Sequence, residues 1–204
     1  MAQTDTGGLT FSLSYDCRMF KLNNDILTNI RPFSCGDDDL DDFFTNEAIA
    51  YEKELMGKTY CWLLHEDNTQ CVGMVTLANA SIQTTHLQNN ARRKTNNSIP
   101  FSKRGRSYPA VLIGRIGVNV DFQCSKYRIG KQIMDYVKNW FDGTDNETGC
   151  RFILVDVMNN EHAIKYYERN GFKPLFPREE NEKAFYGIPD NEQLCTRMYY
   201  FDLL

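Results

Sequence analysis

The segment Ser125-Lys126-Tyr127-Arg128-Ile129-Gly130-Lys131 brings three cations to the start of an amphipathic stretch, a combination suited to holding a phosphate. The first N–H groups of a helix have no intrahelical acceptor, and the helix dipole makes that end positive, so an anion there meets donors and a favourable field together. Loops that do this are usually rich in glycine, whose missing Cβ lets the backbone come close; here Gly130 is the only glycine of the segment. Lys126, Arg128 and Lys131 could supply by charge-assisted contacts part of what glycine gives elsewhere. The bland alternative is a basic helix start exposed to solvent.

Other reactive residue types point to less. Five aspartates fall between Asp37 and Asp42. They could suggest a metal site, but carboxylates in a first helical turn also meet the positive end of the dipole, and that structural reading is preferred. The seven cysteines are odd in number and never spaced as a CxxC pair, and the three histidines lie far apart. We therefore expect a reduced intracellular protein with buried thiols and no structural zinc.

The formal charge of −4 argues against a chain that binds nucleic acid with its whole surface, yet the average hides a division. From Asn68 to Val120 there is no acidic residue, while Arg92, Arg93, Lys94, Lys103, Arg104, Arg106 and Arg115 are all basic. No basic region followed by an apolar stretch opens the chain, and no apolar run approaches the roughly 18 residues of a membrane span. A soluble, cytoplasmic, single-domain protein spanning 1–204 is expected.

The elements that must position these residues follow from periodicity. Leu9, Phe11, Leu13 and Tyr15 alternate with polar residues, the period of a half-buried strand that "RMFKL" continues. Leu40, Phe43, Phe44, Ala48 and Tyr51 have helical spacing, with the stop expected at Gly57. "TYCWLLHE" and "CVGMVTLANASI" read as an antiparallel hairpin, and 84–108 as a long polar, basic loop. Then come a strand at 110–118, a helix with Ile129, Ile133, Met134, Val137 and Trp140 on one face, and a strand at 150–157. A strand, helix and strand in succession form a right-handed crossover, so these two strands should be parallel. A short helix capped by Asn160 and stopped by Gly171, a short strand "FKPLF", a polar loop at 177–193 and a last strand "TRMYYFDL" complete the chain. The fold class is mixed α/β: a mostly antiparallel sheet with one parallel pair, flanked by helices.

This order resembles the GCN5-related N-acetyltransferases, which transfer the acetyl group of acetyl-coenzyme A to amines. Asn160-x-x-Ala163-x-x-x-Tyr167, followed by Gly171-Phe172, fits that superfamily's spacing. "GRIGV" at 114–118 resembles its pantetheine-binding strand, and "FSCGDDDLDDFF" the opening of a branch that includes toxins acetylating aminoacyl-tRNA. The superfamily's Arg/Gln-x-x-Gly-x-Gly/Ala loop maps onto Ser125, Arg128 and Gly130, of which only Gly130 matches; Gln123 lies nearby but out of register.

The resemblance implies acetyl-coenzyme A as co-substrate. Backbone groups of Ile116, Gly117 and Val118 would meet the pantetheine arm, and Ser125, Lys126, Tyr127, Arg128, Ile129, Gly130 and Lys131 the pyrophosphate. Asn160 would contact the coenzyme. It also places Tyr167 near the coenzyme sulfur as general acid: a phenol with pKa near ~10 is protonated at neutral pH and can hand its proton to a thiolate whose free pKa is about 8.5. Taken alone, Tyr167 beside Tyr166 reads more readily as core. No acid lies on the strand at 110–118, so His86, Tyr108 or an ordered water remain open as general base. The acceptor is an amine of unspecified kind. Arg92, Arg93, Lys94, Lys103, Arg104 and Arg106 could border a tRNA, whereas the acidic total suits cationic amines. A degenerate coenzyme-binding module, motivated by the two missing loop residues, is the alternative of another class. Homodimers are common in the superfamily, and the apolar last strand could meet a second copy.

Overall fold

The computed structural model describes residues 11–87, 89–98, 107–123, 126–143, 146 and 148–204. One helical turn, α1 (Leu13–Asp16), precedes β1 (Cys17–Lys21) and α2 (Asn24–Asn29). Then α3 (Asp38–Asp42) runs through a π-helical turn (Phe43–Glu47) into α4 (Ala48–Lys53). Strands β2 (Lys58–Leu64) and β3 (Cys71–Gln83) follow, with a 3-10 turn (Thr84–His86) and α5 (Asn89–Ser98) before β4 (Ser107–Val118). After a 3-10 turn at Val120–Phe122 come α6 (Ile129–Asp142), β5 (Phe152–Met158), α7 (Glu161–Arg169), β6 (Lys173–Pro174), α8 (Glu179–Tyr186) and β7 (Thr196–Asp202).

The strands form one mixed sheet in the order β1-β2-β3-β4-β5-β7-β6. β1 and β2 are antiparallel, as are β5 with β7 and β7 with β6. β4 and β5 are parallel, as the crossover requires, with registered pairs from Ala110↔Phe152 to Ile113↔Val155. β7 is paired on both sides, so it is not an open edge at Tyr199 and Tyr200, where β6 covers it.

Contacts divide the chain into two compact units, Met1–Thr76 with Arg115–Ile133, and Leu77–Gly114 with Met134–Leu204. The first is built on Leu22, Phe33, Phe43, Phe44, Cys61, Leu63 and Met74. Its π turn lets two consecutive residues face inward: Phe43 and Phe44 are both buried, Phe44 edge-on to Phe33 and Phe43 edge-on to Tyr51. The aspartates serve the helix start. Asp37 accepts from the Leu40 N–H, and Asp41 accepts from the Ser34 hydroxyl and the Cys35 N–H. The helix does not stop at Gly57. Leu55 takes the left-handed conformation at φ 58°, and the Leu55 and Met56 N–H groups return to Glu52 and Tyr51 in a Schellman closure.

In the second unit, Ile82, Leu87, Tyr108, Ala110, Phe152, Leu154, Leu175, Phe176 and Tyr200 form the core. Asn160 caps α7 by accepting from the Ala163 N–H at 2.9 Å, and Gly171 leaves the helix at φ 82°.

Three expectations need correction. The alternation at 9–15, of which 9 and 10 lie outside the described residues, is not a strand beyond that point: α1 forms because Asp16 accepts from the Ser12 N–H, and Gln132 accepts from the Leu13 N–H at 2.7 Å. Leu13 is buried whereas Tyr15 is 84% exposed, so the apolar residues do not share a face. The loop at 84–108 contains α5, and the loop at 177–193 contains α8, whose first turn is acidic and whose C-cap is Gly187 at φ 68°. Both helices are mainly polar, with no continuous apolar stripe to announce them.

Candidate active site

In the first unit, the end of β4 is held tightly from below. A Cβ on Gly117 would lie 2.9 Å from Phe44 and 3.3 Å from Cys35, and one on Gly73 would lie 3.0 Å from the Gly117 carbonyl, so both strands pass where no side chain fits. Ile116 and Val118 are half-buried on either side of it. Gln123, out of register in the sequence, ties the end of the strand to the loop before α3. Its Nε2 donates to the Val118 carbonyl at 2.8 Å and to the Cys35 carbonyl at 2.7 Å. That acceptor of Val118 is therefore used within the fold.

The turn into α6 has an unusual backbone. Arg128 sits at φ 52°, in the left-handed region that costs an L-residue with a Cβ roughly 1–2 kcal/mol. Arg128 thus takes a backbone conformation that favours glycine, at the position where the resembling loop carries glycine. Gln132, one turn into the helix, braces it: Nε2 donates to the Tyr127 carbonyl at 2.7 Å and Oε1 accepts from Leu13. Phe11 packs against Tyr127 and Phe122, with ring centroids 5.3 and 5.6 Å apart. Ile129 is buried and anchors the first turn, Gly130 and Lys131 are half-buried, and the Lys126 and Arg128 side chains are exposed. Ser125 lies outside the described residues.

Tyr167 belongs to the second unit. It is buried, edge-on to Tyr166 at 5.0 Å and to Phe172 at 5.6 Å, and burial pushes its phenol up to about 12. It is fully protonated at neutral pH and a weaker acid than a free tyrosine.

Of the candidate bases, His86 stands against Phe185 at 4.6 Å and Phe176 at 5.2 Å, and its buried Nε2 has no hydrogen-bond partner among the described residues. Burial lowers its pKa and keeps it neutral at pH 7. Tyr108 is buried, and its hydroxyl likewise lacks a partner among the described residues. A cavity of about 860 Å³ is lined by Thr85, His86, Arg92, Phe176, Asn181 and Phe185, among others. Arg92, Arg93 and Lys94 lie on α5, with Arg93 exposed; Lys103, Arg104 and Arg106 fall outside the described residues.

The sequence reading missed two carboxylates. Asp156 is on β5, the neighbour of the strand searched for an acid, and Glu182 is on the unforeseen α8. Glu182 is buried, accepting from Arg197 Nε at 2.5 Å and from the Met198 N–H at 2.6 Å. Burial, and then the Glu182 charge, push the Asp156 carboxyl above the usual range.

A mixed sheet with one parallel pair, a left-handed turn into a helix and an Asn-capped helix bearing a buried tyrosine define an acyltransferase-type fold. Residues 22–172 match the model of the acetyltransferase (GNAT) family, and the chain belongs to that family. A comparison with curated proteins gives no match. Similar solved structures include AtaT complexed with acetyl-methionyl-tRNAfMet, at 20% identity and TM-score 0.61, covering 92% of this chain and 95% of that one. A tyrosine-to-phenylalanine mutant of KacT is similar at 17% identity and TM-score 0.66, with 92% and 95% covered. AtaTR bound with AcCoA is similar at 18% identity and TM-score 0.58, with 92% and 94% covered. These likenesses carry the fold.

Proposed function

We propose that this chain is a single N-acetyltransferase domain that moves the acetyl group of acetyl-coenzyme A to a primary amine by direct attack on the thioester. The observation that carries this reading is the left-handed Arg128 in the turn before the 14-residue helix α6, in a chain of the acetyltransferase family. The turn keeps a glycine-like backbone and adds a guanidinium, which suits a pyrophosphate. Ser125, Lys126, Tyr127, Ile129, Gly130 and Lys131 complete that cradle, and Asn160 is a separate coenzyme-contacting residue. Backbone groups of Ile116 and Gly117 and the N–H of Val118 orient the pantetheine arm, and Tyr167 protonates the departing thiolate. AtaTR has been solved with AcCoA, which supports the choice of co-substrate.

Calorimetric titration with acetyl-coenzyme A tests the reading. One-to-one binding weakened by Arg128→Ala is expected, and no heat at millimolar coenzyme would remove the proposal. Tyr167→Phe separates a catalyst from a binding module: a catalyst loses transfer and keeps coenzyme affinity.

A second reading, aminoacyl-tRNA as acceptor, is favoured by the cavity at α5 and α8. Arg92 offers a phosphate contact there, and His86, Phe176 and Phe185 offer faces on which a base can stack. AtaT was solved with acetyl-methionyl-tRNAfMet. Salt-sensitive tRNA binding that disappears when Arg92, Arg93 and Lys94 are changed to Ala is the expected result.

A further inference from the structure

Gln132 stands one turn into α6, yet its side chain serves the turn before the helix and the segment Phe11–Leu13; all of these residues lie in the first unit. Its amide is used at both ends. Nε2 donates to the Tyr127 carbonyl at 2.7 Å and to the Phe11 carbonyl at 3.2 Å, and Oε1 accepts from the Leu13 N–H at 2.7 Å. Backbone groups therefore engage both donors and the oxygen, a combination that neither a carboxylate nor an alkyl chain can satisfy. Packing alone does not call for this residue. The buried stripe of α6 is Ile129, Ile133, Met134 and Val137, and Gln132 lies beside it, half-buried.

The carbonyl that Gln132 holds belongs to the peptide whose rotation is φ of Arg128. A trans peptide is planar, with its C=O and N–H pointing opposite ways, so fixing the Tyr127 carbonyl aims the Arg128 N–H away from Gln132. The left-handed φ of 52° there is one that an L-residue does not adopt readily by itself. Tyr127 is held a second time through its ring, which packs on Phe11 with centroids 5.3 Å apart, while Phe11 also meets Phe122 at 5.6 Å. The strap that does this is anchored in turn. Leu13 is buried, and the Asp16 carbonyl at the end of α1 accepts from the His65 N–H at 2.9 Å.

We propose that Gln132 is a positioning residue for coenzyme binding: it latches the Phe11–Leu13 strap onto the turn and so holds Arg128 in the conformation that presents its N–H to a pyrophosphate. This rests on the reading of the turn as the phosphate cradle of acetyl-coenzyme A. A loop with glycine at that position reaches the conformation unaided. Here the constraint comes from a side chain inside the helix and a strap outside the loop. The strap thereby contributes to coenzyme affinity without touching the coenzyme.

Calorimetric titration of the full chain with acetyl-coenzyme A, in a double-mutant cycle with Arg128→Gly, tests the latch. Gln132→Ala is expected to weaken binding about tenfold when residue 128 is arginine, and about twofold at most in the Arg128→Gly background, where the turn no longer needs the latch. Gln132→Met keeps the length of the side chain without its donors; it should behave alike, and it carries the same cycle if Gln132→Ala does not fold. Phe11→Ala should show the same coupling to Arg128→Gly with a smaller loss. A role confined to general stability would lower Tm and leave no coupling in the affinities. Wild-type affinity in the Gln132 variants, or losses equal in the two backgrounds, overturns the latch while the coenzyme reading stands. A wild type that gives no heat at millimolar coenzyme overturns both.

Discussion

The turn before α6 and the corner where α8 meets β5 and β7 both present charge, but they hold it in opposite ways. At the turn, the framework is backbone: Gln132 hydrogen-bonds the chain on both sides, Phe11 packs on Tyr127, and the cations Lys126 and Arg128 extend into solvent. At the corner the framework is itself charged: Glu182 is buried against the half-buried Arg197, and desolvation and then the Glu182 charge raise the carboxyl of Asp156. An exposed cation on a shaped backbone suits an anion that arrives with its own hydration. A carboxylate in a partly desolvated corner suits a proton that must be exchanged.

The largest way to break this contrast is Glu182→Ala. It leaves the half-buried Arg197 without its partner and should cost about 3 kcal/mol in urea denaturation. Next comes Tyr167→Phe, expected to reduce acetyl transfer by roughly a hundredfold with coenzyme affinity retained, as single-turnover kinetics and calorimetry would show. Arg128 can be separated into conformation and charge. Arg128→Gly relieves the left-handed backbone and should raise stability by up to about 1 kcal/mol, whereas Arg128→Ala keeps the strain; both weaken coenzyme binding.

The smallest effect sharpens the comparison through pH. The folded-state pKa of Asp156 is raised, so the folded chain binds this proton more tightly than the unfolded chain. Its contribution to stability is present at acid pH, below the unfolded value, and is lost as pH rises through the folded value. Asp156→Asn should therefore raise Tm at neutral pH relative to wild type and lose that advantage in acid.

The sequence made some of this legible. Ile129, Ile133, Met134 and Val137 announced α6 because one apolar stripe faces the core, and all four are buried. Asn160 and Gly171 marked the ends of α7 because caps are local chemistry. What was missed depends on partners distant in sequence. The left-handed turn at Arg128 is fixed by side chains such as Phe11 and Gln132, not by a glycine at its own position. α5 is a polar helix, and Thr95 and Leu87 are buried without forming a pattern. Glu182 reads as one more surface glutamate until α8 is seen to carry it to Arg197, fifteen positions later.

Gly73 and Gly117 have a consequence for how variation in this chain will read. A side chain at Gly73 would meet the Ile133 tip at 2.7 Å and the Gly117 carbonyl at 3.0 Å; one at Gly117 would meet Phe44. In a saturation library selected for function, both columns should therefore empty of everything but glycine, although neither residue has a group that could react. Invariance there would record the volume already taken by Ile133, Phe44 and a neighbouring strand. A survey that ranks positions by intolerance would place both glycines beside the catalytic sites, on the strength of packing alone.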